Sequence, residues 1–275
     1  MSGRRRQTLA RPSAVLSGVG LHSGAGASVR LLPAPLGAGL VFRRAGSGQE
    51  IQARVSNVSD TSRCTRLKSG GFEVQTVEHV LSALAGLGVD DAVVEMDGGS
   101  EVPAMDGSAA PFAAALLDAG LHEQSQSVEA ITPTQPMFVS ERGSTIVVLP
   151  SETLSLTVVL DYPRQAYLGA QAAIFDGAGE YATQIAPART YGFLSEIDAL
   201  RAAGLGLGAS LDNAVVLGET RYETPLRFSN ELARHKLLDL LGDLALAGRP
   251  VCADIIAVKP GHTLNVRLAQ RLSEL

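Results

Sequence analysis

Residues 234–243, RHKLLDLLGD, place one histidine and two aspartates at intervals of four. In a helix turning about 100° per residue, His235, Asp239 and Asp243 fall within about 80° of one another, with leucines on the opposite side. Exposed helix faces usually mix Lys with Glu, whereas this stripe consists of residue types that bind metals. A His and an Asp four residues apart can hold one cation, but the pair alone equally suits an ordinary surface hydrogen bond.

A second motif joins a carboxylate to a histidine at the start of an apolar helix, in Thr76-Val77-Glu78-His79. In a metallohydrolase the His holds the ion and the carboxylate takes a proton from the attacking water. The alternative is a simple effect of the helix dipole, which favours an acidic residue at this end.

Two further segments are weaker signals. His262, in the turn KPGHT, can enter a cleft and donate a proton, or it can be an exposed loop residue. Residues 188–193, ARTYGF, suit contacts to an oxyanion or a sugar ring, or form an ordinary turn. The glycine-rich residues 204–208 follow a helix, and Gly98-Gly99 lacks the lysine of a P-loop, so neither indicates a nucleotide cofactor.

Apolar periodicity predicts the elements that must position these residues. Helices are predicted at 77–85, 109–119, 196–203, 229–247 and 263–275, and strands at 9–20, 27–32, 40–44, 51–55, 92–96, 136–139, 144–149, 154–160, 213–217 and 252–258. In each half, a helix near a His ends at Gly and leads into a buried strand. This repetition suggests two similar α+β units that face each other across a site. The polar residues 122–136 mark the boundary, giving domains 1–125 and 126–275.

Composition limits the class of protein. The 275 residues suffice for two compact domains, and a net charge of −5 without a basic face argues against nucleic-acid binding. The run Arg4-Arg5-Arg6 is interpreted as a solvated edge. No apolar stretch resembles a signal peptide or a membrane span, and two distant cysteines indicate a reduced protein. We expect a cytoplasmic monomer.

Six segments together resemble the UDP-3-O-acyl-N-acetylglucosamine deacetylases, zinc-dependent enzymes of lipid A biosynthesis. They are GVGLHSG (18–24), TVEHVLSALAGLGVDDAVVE (76–95), EVPAMDGSAAPF (101–112), ARTYGF (188–193), RHKLLDLLGD (234–243) and GHTLN (261–265). They occur in the family's order and span nearly the whole chain. The resemblance implies hydrolysis of the acetamide of UDP-3-O-(3-hydroxyacyl)-N-acetylglucosamine to acetate and a free 2-amine, the committed step of the pathway.

The resemblance also implies the roles of the site residues. His79, His235 and Asp239 would hold one zinc ion per chain, an arrangement that iron(II) can also fill. Glu78 would be the general base and His262 the general acid.

Three further residues take supporting roles from the same resemblance. Asp243 would orient the imidazole of His262. Thr190 and Lys236 would stabilise developing negative charge.

The implied fold is α+β, with two similar domains, each a sheet with packed helices, and with the helices sandwiched between the two sheets. An insert at about 195–220 would line an apolar passage for the acyl chain. The implied substrate contacts are Tyr191, Phe193, Leu205, Gly208, Ser210 and Leu211. Two positions depart from the family pattern: Tyr191 replaces a common Phe, and Asp161-Tyr162-Pro163 stands where Asp-His-Pro is expected. His22 lies in a family motif without an assigned role.

Two alternatives remain open at this stage. One is a zinc deacetylase of the same fold that acts on a different amide. The other is a non-catalytic binding protein with a structural zinc, although such sites usually have four protein ligands, often cysteines.

Overall fold

The computed structural model describes residues 4–177 and 180–275, and its first half is rich in short strands. The elements are β1 (Arg5–Leu9), β2 (Leu16–Val19), β3 (Gly26–Pro33), β4 (Leu40–Arg44), β5 (Glu50–Gln52), β6 (Val58–Asp60), β7 (Arg66–Ser69), β8 (Phe72–Gln75), α1 (Glu78–Gly86), β9 (Ala92–Gly98), α2 (Ala110–Ala119) and β10 (Leu121–Ser127). A single helical turn, Val55–Asn57, follows β5.

The second half contains a longer central helix. Its elements are β11 (Met137–Glu141), β12 (Ser144–Pro150), β13 (Ser155–Asp161), β14 (Ala170–Phe175), β15 (Tyr191–Phe193), α3 (Ile197–Ala202), β16 (Val215–Leu217), α4 (Glu231–Leu244), β17 (Ala253–Val258) and α5 (His262–Ser273). Short helical turns occur at Tyr181–Ile185, Leu194–Glu196 and Ala245–Ala247. Within the described ranges, no helix is both long and apolar enough to cross a bilayer.

Two five-stranded sheets share one topology. Their strand orders are β2-β3-β9-β4-β5 and β11-β12-β17-β13-β14. In each sheet the central strand is antiparallel to one neighbour and parallel to the other. A helix precedes each central strand, α1 before β9 and α4 before β17, and another follows it. The repetition suggested by the sequence is therefore a duplicated fold, and the predicted α+β class is confirmed.

The helices pack between the inner faces of the two sheets. Side chains on β13 alternate as the pleat requires, with Leu156, Val158 and Leu160 buried. One continuous core joins residues of α1, α4 and both sheets. Helices α1 and α4 approach each other closely at Gly242, where an added Cβ would collide with the carbonyl oxygen of Glu78. This glycine lets the two helices that carry the candidate site pack backbone to backbone.

Several elements differ from the sequence-based expectations. Strands β6, β7 and β8 form a separate small sheet, and β14 was not predicted. The polar stretch interpreted as a linker contains β10, which pairs with β1. The predicted strand 9–20 is interrupted between β1 and β2, and residues 191–193 form a strand that pairs with β16.

The N-terminal arginine run is exposed at Arg4 and Arg5, as its composition suggested, but it also forms ion pairs. Arg4 pairs with Asp90 at 2.6 Å, and Arg6 pairs with the fully buried Asp91 at 2.6 Å. Because both acids follow α1 in sequence, the pairs fix the N-terminal strand beside the end of that helix.

Candidate active site

Helices α1 and α4 bring together His79, His235 and Asp239, here called the ligand triad. Their candidate ligand atoms all lie within 4.8 Å of one another. Asp239 Oδ1 is 3.7 Å from His79 Nε2 and 3.4 Å from His235 Nε2. The two imidazole rings meet edge to face, with centroids 5.2 Å apart. Three N and O atoms therefore converge on one point, where they could hold a metal ion.

The protonation states of the triad suit metal binding. Burial and the neighbouring His235 lower the pKa of His79 to about 3, and burial lowers the pKa of His235. Burial alone would raise the pKa of Asp239, but His235 and Lys236 hold it well below its usual range. Two neutral imidazoles and one carboxylate result, the forms that coordinate a cation. His235 Nδ1 lies 3.1 Å from the Ala188 carbonyl, which directs Nε2 toward Asp239.

The hydrogen bonding of Asp239 tests whether the residues fit an ion. Oδ2 accepts a hydrogen bond from Lys236 Nζ at 2.8 Å. Oδ1 is buried and has no hydrogen-bond partner within the described part of the chain. A buried carboxylate oxygen without a partner is costly, and it faces the two imidazole nitrogens. A divalent cation bound by the triad would satisfy it, so these residues fit a metal.

Glu78 begins α1 and lies beside the triad, with only 2% of its surface exposed. Its Oε2 accepts a hydrogen bond from the Thr65 backbone N–H at 3.0 Å, while Oε1 lies 3.7 Å from His262 Nε2. Burial raises the pKa of Glu78 to about 8, against the opposing effect of His262. A carboxylate with a raised pKa and one free oxygen is suited to general-base catalysis.

His262 begins α5, and its imidazole ring is hydrogen-bonded to Asp243. Its Nδ1 lies 2.9 Å from Asp243 Oδ2, the oxygen to which Asn265 Nδ2 also donates at 2.9 Å. Burial alone would lower the pKa of His262, but the carboxylates of Asp243, Glu78 and Asp239 raise it to about 9. The ring is therefore an imidazolium at neutral pH and can donate a proton from Nε2.

A cavity of about 690 Å³ opens onto these groups. Twelve of the residues given a role in the sequence analysis line it: Glu78, His79, Thr190, Tyr191, Phe193, Leu205, Ser210, Leu211, His235, Lys236, Asp239 and His262. His22 and Tyr162, which were singled out without a role, line it as well. Asp243 is not in the lining, because it lies behind His262. Gly208 is not in it either: its N–H donates to the Leu21 carbonyl at 3.1 Å, in the first of the family-like segments.

The two positions that depart from the family pattern contact each other. The Tyr162 and Tyr191 hydroxyls are 2.6 Å apart. The Tyr191 ring also meets His235 edge to face and lies 5.6 Å beneath Lys236 Nζ. Burial and the nearby Tyr162 raise the pKa of Tyr191. A hydrogen-bonded pair of tyrosines thus forms one wall beside the triad.

Sequence reasoning missed several residues of the site. Thr65 binds Glu78 directly through its backbone N–H, and Thr65 and Asn265 both bind Asp243, the partner of His262. No local pattern in residues 60–65 pointed to Thr65. Three missed cations, Arg63, Arg142 and Lys259, line the cavity with left-handed backbones, at φ values of 68°, 47° and 53°. Such conformations are uncommon outside glycine and often occur at functional sites, but they leave no mark in the sequence.

Comparison with known proteins gives a consistent result. Residues 6–274 match the sequence profile of the UDP-3-O-acyl N-acetylglycosamine deacetylase family. A UDP-3-O-acyl-N-acetylglucosamine deacetylase of Leptospira biflexa is 42% identical over 262 residues, covering 94% of this chain and 86% of the relative. Deacetylases of the same name from Myxococcus xanthus and Acidithiobacillus ferrooxidans are 40% and 41% identical, covering 98% and 93% of this chain and 87% and 86% of the relatives.

Proposed function

The chain belongs to the family of UDP-3-O-acyl N-acetylglycosamine deacetylases, and we propose that it hydrolyses the 2-acetamide of UDP-3-O-(3-hydroxyacyl)-N-acetylglucosamine. The products are acetate and the free 2-amine, which commits the sugar to lipid A synthesis. The observation that carries this proposal is one cavity in which the ligand triad lies beside a buried carboxylate and a buried imidazolium.

The triad of His79, His235 and Asp239 would hold one divalent ion per chain, which we propose to be zinc. An ion held there supplies a Lewis acid that polarises the amide carbonyl and makes water more acidic. Three protein ligands leave a coordination position free for reactants, the arrangement of catalytic rather than structural zinc sites. Iron(II) suits the same ligand set, and metal analysis of protein purified from its own cells distinguishes the two.

Glu78 and His262 divide the proton transfers between them. Glu78 Oε1 takes a proton from the attacking water, because Oε2 is already bound to Thr65. His262 Nε2 then gives its proton to the departing sugar nitrogen while Nδ1 stays bonded to Asp243. The separation of 3.7 Å between Glu78 Oε1 and His262 Nε2 supports the proposal that both groups act at one reacting centre.

Negative charge develops on the acetamide oxygen as water adds. Burial alone would lower the pKa of Lys236, but Asp239 raises it. The side chain of Lys236 is therefore an ammonium group at neutral pH. Lys236 and Thr190 both line the cavity and would stabilise that charge.

The rest of the cavity suits the two ends of the substrate. The cations Arg63, Arg142 and Lys259 would bind the diphosphate, since fixed positive charges favour phosphate oxygens. Leu205 and Leu211 would wall a passage for the acyl chain beside the aromatic side chains of Tyr191 and Phe193.

The cellular setting follows from the same proposal. A nucleotide-linked sugar is a substrate made in the cytoplasm, and the cysteines are unpaired, with Cys64 buried, as a reducing compartment allows. We place the enzyme there. A monomer stays our prediction, which light scattering tests.

Acetate release from the acylated UDP-sugar by zinc-loaded protein is the decisive experiment. Glu78→Gln is the matched variant, because it keeps the size of the side chain and removes the base; turnover should fall about 10²–10⁴-fold. The variant should bind as much zinc as the wild type. A wild-type protein that releases acetate only from a different amide would support the first alternative, and zinc binding without any turnover would support a binding protein.

A further inference from the structure

Thr65 connects the two groups that transfer protons, although it does not itself line the cavity and makes no hydrogen bond to the ligand triad. It is fully buried, and it lies just before β7 at the end of a loop. Its backbone N–H donates to Glu78 Oε2 at 3.0 Å. Its hydroxyl donates to Asp243 Oδ1 at 2.6 Å and lies 3.5 Å from His262 Nδ1. One residue thus holds the base by its main chain and the partner of the acid by its side chain.

The loop before Thr65 is built to bring it to this place. Asp60 Oδ1 accepts hydrogen bonds from the Thr61 N–H and from the N–H and hydroxyl of Ser62, which fixes the turn. The left-handed backbone of Arg63 then reverses the chain.

The following hairpin fixes Thr65 against the start of α1. Strands β7 and β8 pair with Arg66 opposite Gln75. The Val77 N–H then donates to the Thr65 carbonyl at 3.4 Å, one residue before Glu78. Because the hairpin returns directly to α1, the position of Thr65 is set by the same backbone that positions the base.

Asp243 depends on Thr65 for one of its oxygens. Oδ2 receives the hydrogen bonds of His262 and Asn265, and Oδ1 receives that of Thr65. Asp243 is itself fully buried. Removal of the Thr65 hydroxyl would leave Oδ1 without this donor, and a buried carboxylate in that state turns toward other partners. A turn of the carboxylate would move the imidazole of His262, because Nδ1 is bound to it.

We propose that Thr65 is a positioning residue of the reaction, which holds the Glu78 carboxylate and the Asp243–His262 pair at a fixed separation across the junction of the two sheets. This proposal rests on the proposed function for its substrate. Thr65 acts on kcat rather than on binding, because it does not itself line the cavity and would affect the substrate only through Glu78, Asp243 and His262. The hydroxyl of Thr65, rather than the volume of its side chain, is responsible for its effect on His262.

The test compares Thr65→Val, which removes the hydroxyl and keeps the shape, with Thr65→Ser, which keeps the hydroxyl. A displacement of a catalytic group by about 1 Å costs up to about 10²-fold, so kcat of Thr65→Val should fall about 10–100-fold with KM within about twofold of wild type. Thr65→Ser should recover kcat to within about threefold of wild type, because a donor to Asp243 is restored. Zinc content should be the same in all three proteins.

A matched control separates positioning from general loss of stability. Thr8 is a buried threonine in β1 whose hydroxyl accepts a hydrogen bond from the Ala34 N–H at 3.0 Å, outside the cavity. Thr8→Val should lower the melting temperature as Thr65→Val does and leave kcat unchanged. If Thr65→Val is not recovered folded, Thr65→Ala takes its place in every comparison.

A double-mutant cycle with Asp243→Asn completes the test. If the hydroxyl acts through Asp243, Thr65→Val should lower kcat of the Asp243→Asn protein by less than about threefold, since residues that act as a unit are not additive. The proposal is overturned by an unchanged kcat in Thr65→Val, by a Ser variant as slow as the Val variant, or by an undiminished loss in the Asp243→Asn background. Failure of the proposed function looks different: the wild-type protein itself would not release acetate from the acylated UDP-sugar.

Discussion

Asp239 uses its two carboxylate oxygens for different purposes. Oδ2 is bound by Lys236, and Oδ1 faces the imidazoles of His79 and His235 without a hydrogen-bond donor in the described part of the chain. This asymmetry keeps Asp239 ionised and leaves one oxygen for a cation. His235, four residues earlier on α4, is fixed by Ala188, so two of the three candidate ligands are held in place by groups outside the triad.

Substitution of the aspartate should therefore empty the site. In Asp239→Ala two imidazoles remain, and we expect the bound zinc to fall from one ion per chain to below about 0.1, since two ligands hold zinc poorly. Metal analysis after gel filtration measures this. Asp243→Asn is the control: one helical turn further along α4, it contacts His262 instead of the triad, so its zinc should stay at one per chain. Full zinc in Asp239→Ala, or loss from Asp243→Asn, would contradict the assigned ligand set.

The pH dependence follows from the opposite requirements of the base and the acid. Glu78 must be deprotonated, and its buried carboxyl has a pKa of about 8, which a bound cation would lower. His262 must be protonated, and its pKa is raised from 6.5 to about 9, so the acid form is present at neutral pH and is lost as pH rises through 9. The profile of kcat/KM should be bell-shaped, with its basic limb at or below 9, because a bound cation would lower the pKa of His262 as well. In His262→Ala that limb should disappear; a limb that persists would show that another group is the acid.

At the scale of single residues, the sequence predicted the groupings that follow from helical periodicity or from adjacency in the chain. His235, Asp239 and Asp243 share a helix face, and Glu78 and His79 are neighbours, so the order of the residues alone indicates each set. Which members bind metal came from the family resemblance. Thr65 stayed hidden because its partners lie 13 and 178 residues away, and a loop of ordinary composition does not encode such contacts.

Helix α4 shows how an element can serve two purposes. Its leucines, including Leu237 and Leu241, are buried in the core, and its polar stripe is equally buried against α1 and α5. The stripe looked like the polar side of an amphipathic helix, yet it faces a site rather than solvent. Gly242 is the position that permits the close crossing with α1, and it lies between the acid's partner Asp243 and the backbone of Glu78.

A methyl group at this crossing should push the two helices apart. In Gly242→Ala the new Cβ would collide with the Glu78 carbonyl, and overpacking of this kind costs about 1–3 kcal/mol. Urea unfolding should show that loss of stability, and kcat should fall because Glu78 moves relative to the triad. Gly26→Ala in β3 is the control, since no atom lies within 4 Å of its added Cβ. A Gly242→Ala protein as stable and active as the Gly26→Ala protein would show that the crossing tolerates the methyl group.

The long apolar elements were predictable and the short polar strands were not. Helices α1, α2, α4 and α5 appear within a few residues of their predicted bounds, because each buries a periodic apolar face. Strand β10 is largely exposed and polar, so its composition resembled a linker, and only its backbone pairing with β1 makes it a strand. The predicted boundary between residues 125 and 126 falls inside this strand and stays a prediction.

At the scale of the molecule, the duplicated sheets explain where the site lies. Each repeat contributes the helix that precedes its central strand, so α1 supplies Glu78 and His79 while α4 supplies His235, Asp239 and Asp243. Neither repeat alone contains a metal site within the described ranges. The two repeats differ in the segments added to them. The first repeat carries the small sheet next to Thr65, and the second carries residues 191–217. In this second segment, the backbone of residues 207–208 is hydrogen-bonded to Leu21 and His22 of the first repeat. Both additions cross the junction between the two sheets.

The second addition leads to the last prediction, which concerns the acyl chain. Each buried methylene contributes about 0.8 kcal/mol, so a long 3-O-acyl group can supply much of the binding energy and help to position the acetamide. UDP-N-acetylglucosamine without the chain should therefore be a poor substrate by kcat/KM. Ala209 lines the cavity, and Ala209→Phe should lower kcat/KM for long-chain substrate about 10-fold or more while zinc content is unchanged. Ala172→Phe, at an exposed position of β14, is the control and should leave turnover as it is. Equal kcat/KM for acylated and unacylated sugar nucleotides would contradict the proposed acyl passage, and with it the proposed place of this enzyme in lipid A synthesis.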